Sequence, residues 1–192
     1  MDKGRLEAFS DGVLAVIITI MVLEMKPPHA VTIEALRGLW PVFLSYVLSF
    51  VYVGIYWNNH HHLLKAVERI DGRVMWANLL VLFFISLFPF TTAWMSENSF
   101  APVPTALYGL VLLLAALAWP VLLRTLIACN GPQCPLARAT RRDAKGWSSI
   151  VLYLLAIPLA LFVNVWTAGL LYAAVAALWF VPDRRLEKII AP

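Results

Sequence analysis

Three consecutive histidines, His60, His61 and His62, are the residues of this chain whose chemistry is most visible at first sight. Imidazole binds metals and exchanges protons near neutral pH. If the run is helical, neighbouring rings point roughly 100° apart, so the three cannot share one partner. Histidines that hold one metal from a single helix usually sit at i and i+4, and the position four after His60 is Leu64. Cys129 and Cys134 add two thiols, too few for a structural zinc site. In a reducing compartment both are expected to be free. No nucleophile–base pair accompanies these groups. A second constellation lies near the N-terminus, where Arg5, Glu7, Ser10 and Asp11 cluster just ahead of an apolar run.

The elements that must position these groups are membrane spans. Of the 192 residues 61% are apolar and only 14% charged, against about 25% charged in an ordinary soluble domain. The apolar residues fall in long blocks separated by short polar stretches. Six spans are read, over about 9–25, 39–57, 74–95, 105–127, 149–165 and 166–181. The last two divide one apolar stretch too long for a single crossing, with the break near Asn164-Val165-Trp166-Thr167. The fold class is therefore all-α integral membrane, a single six-helix domain over 1–192. Pro41, Pro89, Pro120 and Pro158 fall inside the blocks and are expected to kink them. The segment 130–147 is the one long loop, rich in Pro, Gly and Arg, and is expected to be mobile.

Charge orients the spans. Of 15 Lys and Arg residues, all but Lys26 and Arg37 fall on one side of a six-span topology. Basic residues flanking spans stay cytoplasmic, so both termini are expected inside, in the cell membrane. The net charge of +4 follows from this asymmetry and, being dispersed over separate loops, does not indicate nucleic acid. The N-terminus carries Asp2 and Glu7 beside Lys3 and Arg5 and lacks a small-residue cleavage pattern, so it is not read as a cleavable signal.

The first span is unlike the others. Only 12 uncharged residues separate Asp11 from Glu24, a rise of about 18 Å. That is short for a lipid-facing crossing, so its polar end is expected against protein or water. On a helical wheel Gly12, Val16, Thr19, Ile20 and Leu23 share one face, and none is charged. Such a stripe is either a helix–helix seam or, repeated around an axis, a hydrophobic constriction with a ring of Thr19 hydroxyls.

The motif Arg5-x-x-x-Phe9-Ser10-Asp11 resembles the Arg-x-x-x-Phe-Ser-Asp signature of the transmembrane protein 175 family of potassium channels. Tyr56-Trp57-Asn58-Asn59-His60-His61-His62 is similar to a second family segment, and Asn78-Leu79-Leu80 with Ser86-Leu87-Phe88-Pro89-Phe90-Thr91 to a third. The resemblance covers about residues 4–95. It implies a homotetramer of six-helix units without a re-entrant pore loop, in which the first helix of each lines a central pore. It implies pore-lining positions at Val16, Thr19 and Leu23, with Ile20 adjacent. The narrowest position, often Ile or Leu in the family, is Val16 here, which widens the expected gate. Potassium is the implied permeant ion, with no cofactor, no metal and no enzymatic activity.

A hydrogen-bonded cluster of Arg5, Asp11 and one or more of His60, His61 and His62, with Asn78 as a further member, is expected to set the angle of the first helix. Glu24 is expected to concentrate cations at the outer mouth. Two other functions remain open on the residues alone. Asp11, Glu24 and the histidines could serve a proton channel or proton-coupled transporter, though the middles of the spans hold few ionisable groups. A membrane metalloenzyme using His60 to His62 lacks a second set of ligands.

Overall fold

The computed structural model describes residues 2–140 and 143–180. Arg141, Arg142, Arg184, Arg185 and Lys188, which entered the charge count, lie outside them. The described residues form helices α1 (Lys3–Leu23), α2 (Ile33–Gly38), α3 (Trp40–Lys65), α4 (Gly72–Ser86), α5 (Phe88–Glu97), α6 (Pro102–Asn130), α7 (Pro135–Ala139), α8 (Ala144–Phe162) and α9 (Val165–Phe180). Five stretches are long and apolar enough to cross a membrane: α1, α3, α4 with α5, α6 and α8. The shorter α9 has 16 described residues and is apolar throughout. The chain is a multi-pass, all-helical membrane protein.

Local chemistry explains the breaks. Asp2, Thr32, Asp71 and Asp143 each accept a backbone N–H and so begin a helix. Leu87 ends α4, and Pro89 then sits in the first turn of α5, where its missing N–H costs nothing. Pro41 likewise occupies the first turn of α3 instead of kinking its interior. Pro120 and Pro158 do lie inside helices. Between α8 and α9, Val163 leaves the helical region, and Asn164 Oδ1 accepts the Trp166 N–H at 2.8 Å. The long apolar stretch is therefore two helices.

Side-chain contacts set the directions. Trp179 Nε1, near the end of α9, donates to Ser149 Oγ near the start of α8 at 2.8 Å, so the pair is an antiparallel hairpin. Lys3 Nζ reaches the Val67 carbonyl at 2.9 Å, and Asn130 at the end of α6 bonds the backbone of Glu68 and Arg69. These bonds gather the start of α1 and the ends of α3 and α6 at one end of the bundle. At the other end Lys26 pairs with Glu97 at 3.6 Å, and Trp40, Phe100 and Trp166 form an aromatic cluster.

Lipid is as apolar as leucine, so packing and interhelical hydrogen bonds hold such a bundle together. The core of α3, α5, α6, α8 and α9 carries a set of buried hydroxyls. Ser49 bonds Thr92 at 2.7 Å and Tyr108 at 3.0 Å. Tyr52 donates to the Tyr172 carbonyl at 2.7 Å and accepts from Tyr153 at 3.1 Å. The segment expected to be a mobile loop is partly ordered instead. It contains α7, whose Leu136 is fully buried, because one apolar side chain anchors the turn to the core. Cys129 lies within α6 and Cys134 precedes α7; both are free and half-buried.

Candidate functional site on the first helix

Helix α1 has two faces of opposite character. Leu6, Ser10, Leu14, Ile17 and Met21, spaced i, i+4, i+8, i+11 and i+15, are buried against the bundle. The stripe read from the sequence is turned the other way. Val16, Ile20 and Leu23 are 54%, 40% and 78% exposed, and Gly12 and Thr19 are exposed with them. In the single chain the stripe is only partly covered, with Ile20 bordering a hollow beside Pro89, Phe90 and Trp94. The Thr19 hydroxyl donates to the Val16 carbonyl at 2.8 Å. Its only hydrogen is thereby committed, and its oxygen lone pairs stay without a donor among the described residues.

The packed face holds a short polar relay whose direction is determined by its members. Ser10 Oγ donates its one hydrogen to the Leu6 carbonyl at 2.8 Å, so it can only accept from Asn78 Nδ2, 2.9 Å away. Asn78 Oδ1 is then the acceptor for His60 Nε2 at 2.7 Å. His60 is therefore the Nε2–H tautomer, and its Nδ1 is buried with no partner among the described residues. Ser10 and Asn78 are fully buried and His60 nearly so. The relay ties α1 to α4 and α3 through groups that lipid cannot solvate.

The expected cluster forms in part: His60 and Asn78 belong to it, but Ser10 takes the place of Arg5 and Asp11. Arg5 is exposed and makes no hydrogen bond among the described residues. Asp11 is half-buried, and its Oδ1 has no partner among the described residues. Phe9 is 53% exposed on the outer side of α1. The three histidines separate as their spacing requires. His60 turns inward to Asn78, His61 Nδ1 faces Glu7 Oε1 at 3.0 Å, and His62 Nδ1 is buried without a partner among the described residues. They do not converge on a common metal. Among the described residues no three His, Cys, Asp or Glu side chains gather as a metal site. Glu24 is exposed just past the end of α1.

Sequence reasoning overlooked two contacts. Glu7 enters it as one of the polar groups ahead of the first span, with no partner named, yet it pairs with His61, which stacks on Trp57. Asn130 went unremarked, yet all of its amide is used. Its Oδ1 accepts from Glu68 and Arg69, and its Nδ2 donates to the carbonyls of Arg69 and Leu126 at 3.0 and 2.9 Å. An asparagine at the last position of a helix is the available signal, since its side chain readily bonds backbone.

Residues 5–89 match the family model described as the endosomal/lysosomal potassium channel TMEM175. A potassium channel of Chryseobacterium sp. (strain P1-3) is 47% identical over 188 residues, covering 98% of this chain and 97% of that one. The crystal structure of a lysosomal potassium-selective channel TMEM175 homolog from Chamaesiphon minutus superposes with a TM-score of 0.82 at 29% identity. It covers 94% of this chain and 97% of that one. The human endosomal/lysosomal proton channel TMEM175 is 33% identical over 116 residues, 54% of this chain and 23% of its own length. With near end-to-end identity to a bacterial relative and its signature residues on the pore-candidate helix, the chain belongs to the TMEM175 family.

Proposed function

We propose that this protein is a passive potassium channel of the cell membrane, built as a homotetramer in which α1 from each of the four chains surrounds a central pore. Both termini face the cytoplasm, and α9 is the sixth span. The observation that carries the reading is the exposed stripe on α1. An uncharged face of Val16, Thr19, Ile20 and Leu23 stands largely exposed in its own chain, while the opposite face is buried against the bundle. Copies of this face around an axis bury it and make a narrow conduit. Relatives named as potassium channels, two of them matched along nearly the whole chain, support the choice of ion.

The conduit is short. From Val16 to Leu23 the helix rises about 10.5 Å, roughly a third of the hydrocarbon thickness. An ion is therefore dehydrated over a brief stretch and hydrated on either side of it. The Thr19 oxygen lies about 4.5 Å along the axis from Val16 and offers lone pairs within that stretch. Apolar rings at Val16, Ile20 and Leu23 set the diameter and resist wetting. Glu24 at the outer end raises the local cation concentration. In this reading Ser10, Asn78 and His60, with His61 on Glu7, hold the inner end of α1 in place, and no cofactor takes part.

Protein reconstituted in liposomes is expected to carry potassium current that reverses nearer the potassium than the sodium equilibrium potential. Anion selectivity, or no conductance, overturns the proposal, as does a strictly monomeric protein in detergent. The proton-channel name of the human relative motivates one competing arm: acid-driven flux without potassium current favours proton conduction. Between Gly12 and Leu23 the stripe holds no ionisable side chain to serve such a relay.

A further inference from the structure

Away from α1, a cavity of about 50 Å³ opens between α3, α6, α8 and α9, at the end of the bundle that carries Lys3 and Asn130. It can hold a small group, since a single water needs only about 10–15 Å³ by the same measure. Its walls are aromatic: Tyr52, Tyr56, Trp119, Tyr153 and Trp179, with the Asp143 carboxylate among them. Tyr56 and Trp119 meet edge to face, with centroids 5.8 Å apart. Tyr52 and Tyr153 lie 6.4 Å apart on the neighbouring wall.

The polar atoms of the lining are oxygen-rich. Asp143 Oδ1 caps α8 through the Gly146 N–H at 2.8 Å, which leaves its second oxygen for other partners. The Tyr56 hydroxyl makes no hydrogen bond among the described residues. Ala116 and Pro120 both line the cavity, and Pro120 has no N–H to give the Ala116 carbonyl. Among the described residues no basic side chain is in the lining. At its rim, Lys145 Nζ stands 5.9 Å from the Trp179 centroid, so this aromatic wall already attracts an alkylammonium of the chain itself.

We propose that this cavity is a binding site for a small alkylammonium group, held by the rings of Tyr56, Trp119, Tyr153 and Trp179 and by the Asp143 carboxylate. Aromatic faces carry negative potential and prefer soft, weakly hydrated cations. A metal ion would need several hard oxygens, and the lining has one carboxylate. A wholly apolar ligand would strip water from that carboxylate without compensation. The group comes either as a free amine from solution or as the headgroup of an amine-bearing lipid. The site is independent of the proposed pore, because none of its residues lies on α1.

The test is equilibrium binding of radiolabelled choline to the full-length protein in detergent, with Asp143→Asn and Trp119→Leu as variants. Asparagine caps a helix as well as aspartate, so Asp143→Asn removes the charge and keeps the cap. Each variant is expected to weaken choline binding about tenfold. Potassium conductance of Asp143→Asn should match the parent. In the second arm, protein in phosphatidylethanolamine nanodiscs is stripped with detergent and the retained lipid is measured. Retention that falls in both variants identifies the headgroup as occupant, and choline binding that falls in both identifies a soluble amine. The proposal is overturned if neither choline binding nor lipid retention responds to either variant.

Discussion

The relay Ser10–Asn78–His60 yields a prediction whose size follows from the bonds themselves. Asn78→Leu keeps the side-chain volume but removes the acceptor of His60 and the donor to Ser10. Ser10 still bonds Leu6, so it loses little. His60 is left worse off: its Nε2–H becomes a buried donor without an acceptor, in a ring whose Nδ1 already has no partner. Each interhelical bond is worth about 0.6 kcal/mol in a membrane protein, and a buried orphan donor costs about 1–3 kcal/mol. The single substitution should therefore destabilise the fold by about 2–4 kcal/mol. Adding His60→Phe removes the orphan. The double variant should then be no less stable than Asn78→Leu alone, with a favourable coupling of at least about 1 kcal/mol in the cycle. Reversible unfolding in mixed micelles, followed by tryptophan fluorescence, measures all four proteins. Additivity within about 0.5 kcal/mol would show that the two side chains do not share a bond, and would refute the tautomer derived for His60.

Val16→Ala and Leu23→Ala should each raise sodium permeability relative to potassium, read as a shift of the reversal potential under bi-ionic conditions; unchanged selectivity in both removes α1 as the selective face. Asn130→Ala should loosen the turn between α3 and α4, and the amides of Glu68 and Arg69, which bond Asn130 at 3.0 and 2.9 Å, should exchange with deuterium about tenfold faster or more, by loss of bonds worth about 1 kcal/mol each. Gly109→Ala would drive a Cβ into the Tyr172 hydroxyl, which must give up its 3.1 Å bond to the Thr105 carbonyl. A loss of about 1–3 kcal/mol is expected in the same unfolding assay, and Tyr172→Phe in that background should recover part of it.

Much of the architecture is legible in the sequence because a bilayer imposes long, uninterrupted apolar runs. Family membership is legible for a different reason: Arg5, Phe9, Ser10 and Asp11 stand at a specific place relative to the first such run. The break between α8 and α9 can be read near Asn164, since no helix of that length fits one crossing. Periodicity also separates Val16, Thr19, Ile20 and Leu23 from Leu6, Leu14, Ile17 and Met21 as two faces of one helix. It cannot say which of them packs, because both are apolar, and in lipid the two faces have the same affinity for their surroundings.

Tertiary structure decides what periodicity cannot. Shape and buried polar partners turn Ser10 inward and leave the Val16 stripe outward. Local sequence places Arg5 and Asp11 among the histidines, but it is Asn78 from α4 that reaches His60 and links it to Ser10. The loop containing α7 reads as mobile from its composition and is anchored by Leu136, whose burial depends on residues distant in the chain. The aromatic cavity has no sequence signature at all, being assembled from four helices that share no motif. The sequence by itself determines which segments enter the membrane and what kind of protein they make. The tertiary structure determines which face of α1 is packed and which stands free, because that choice rests on hydrogen bonds between residues as far apart as Ser10 and Asn78.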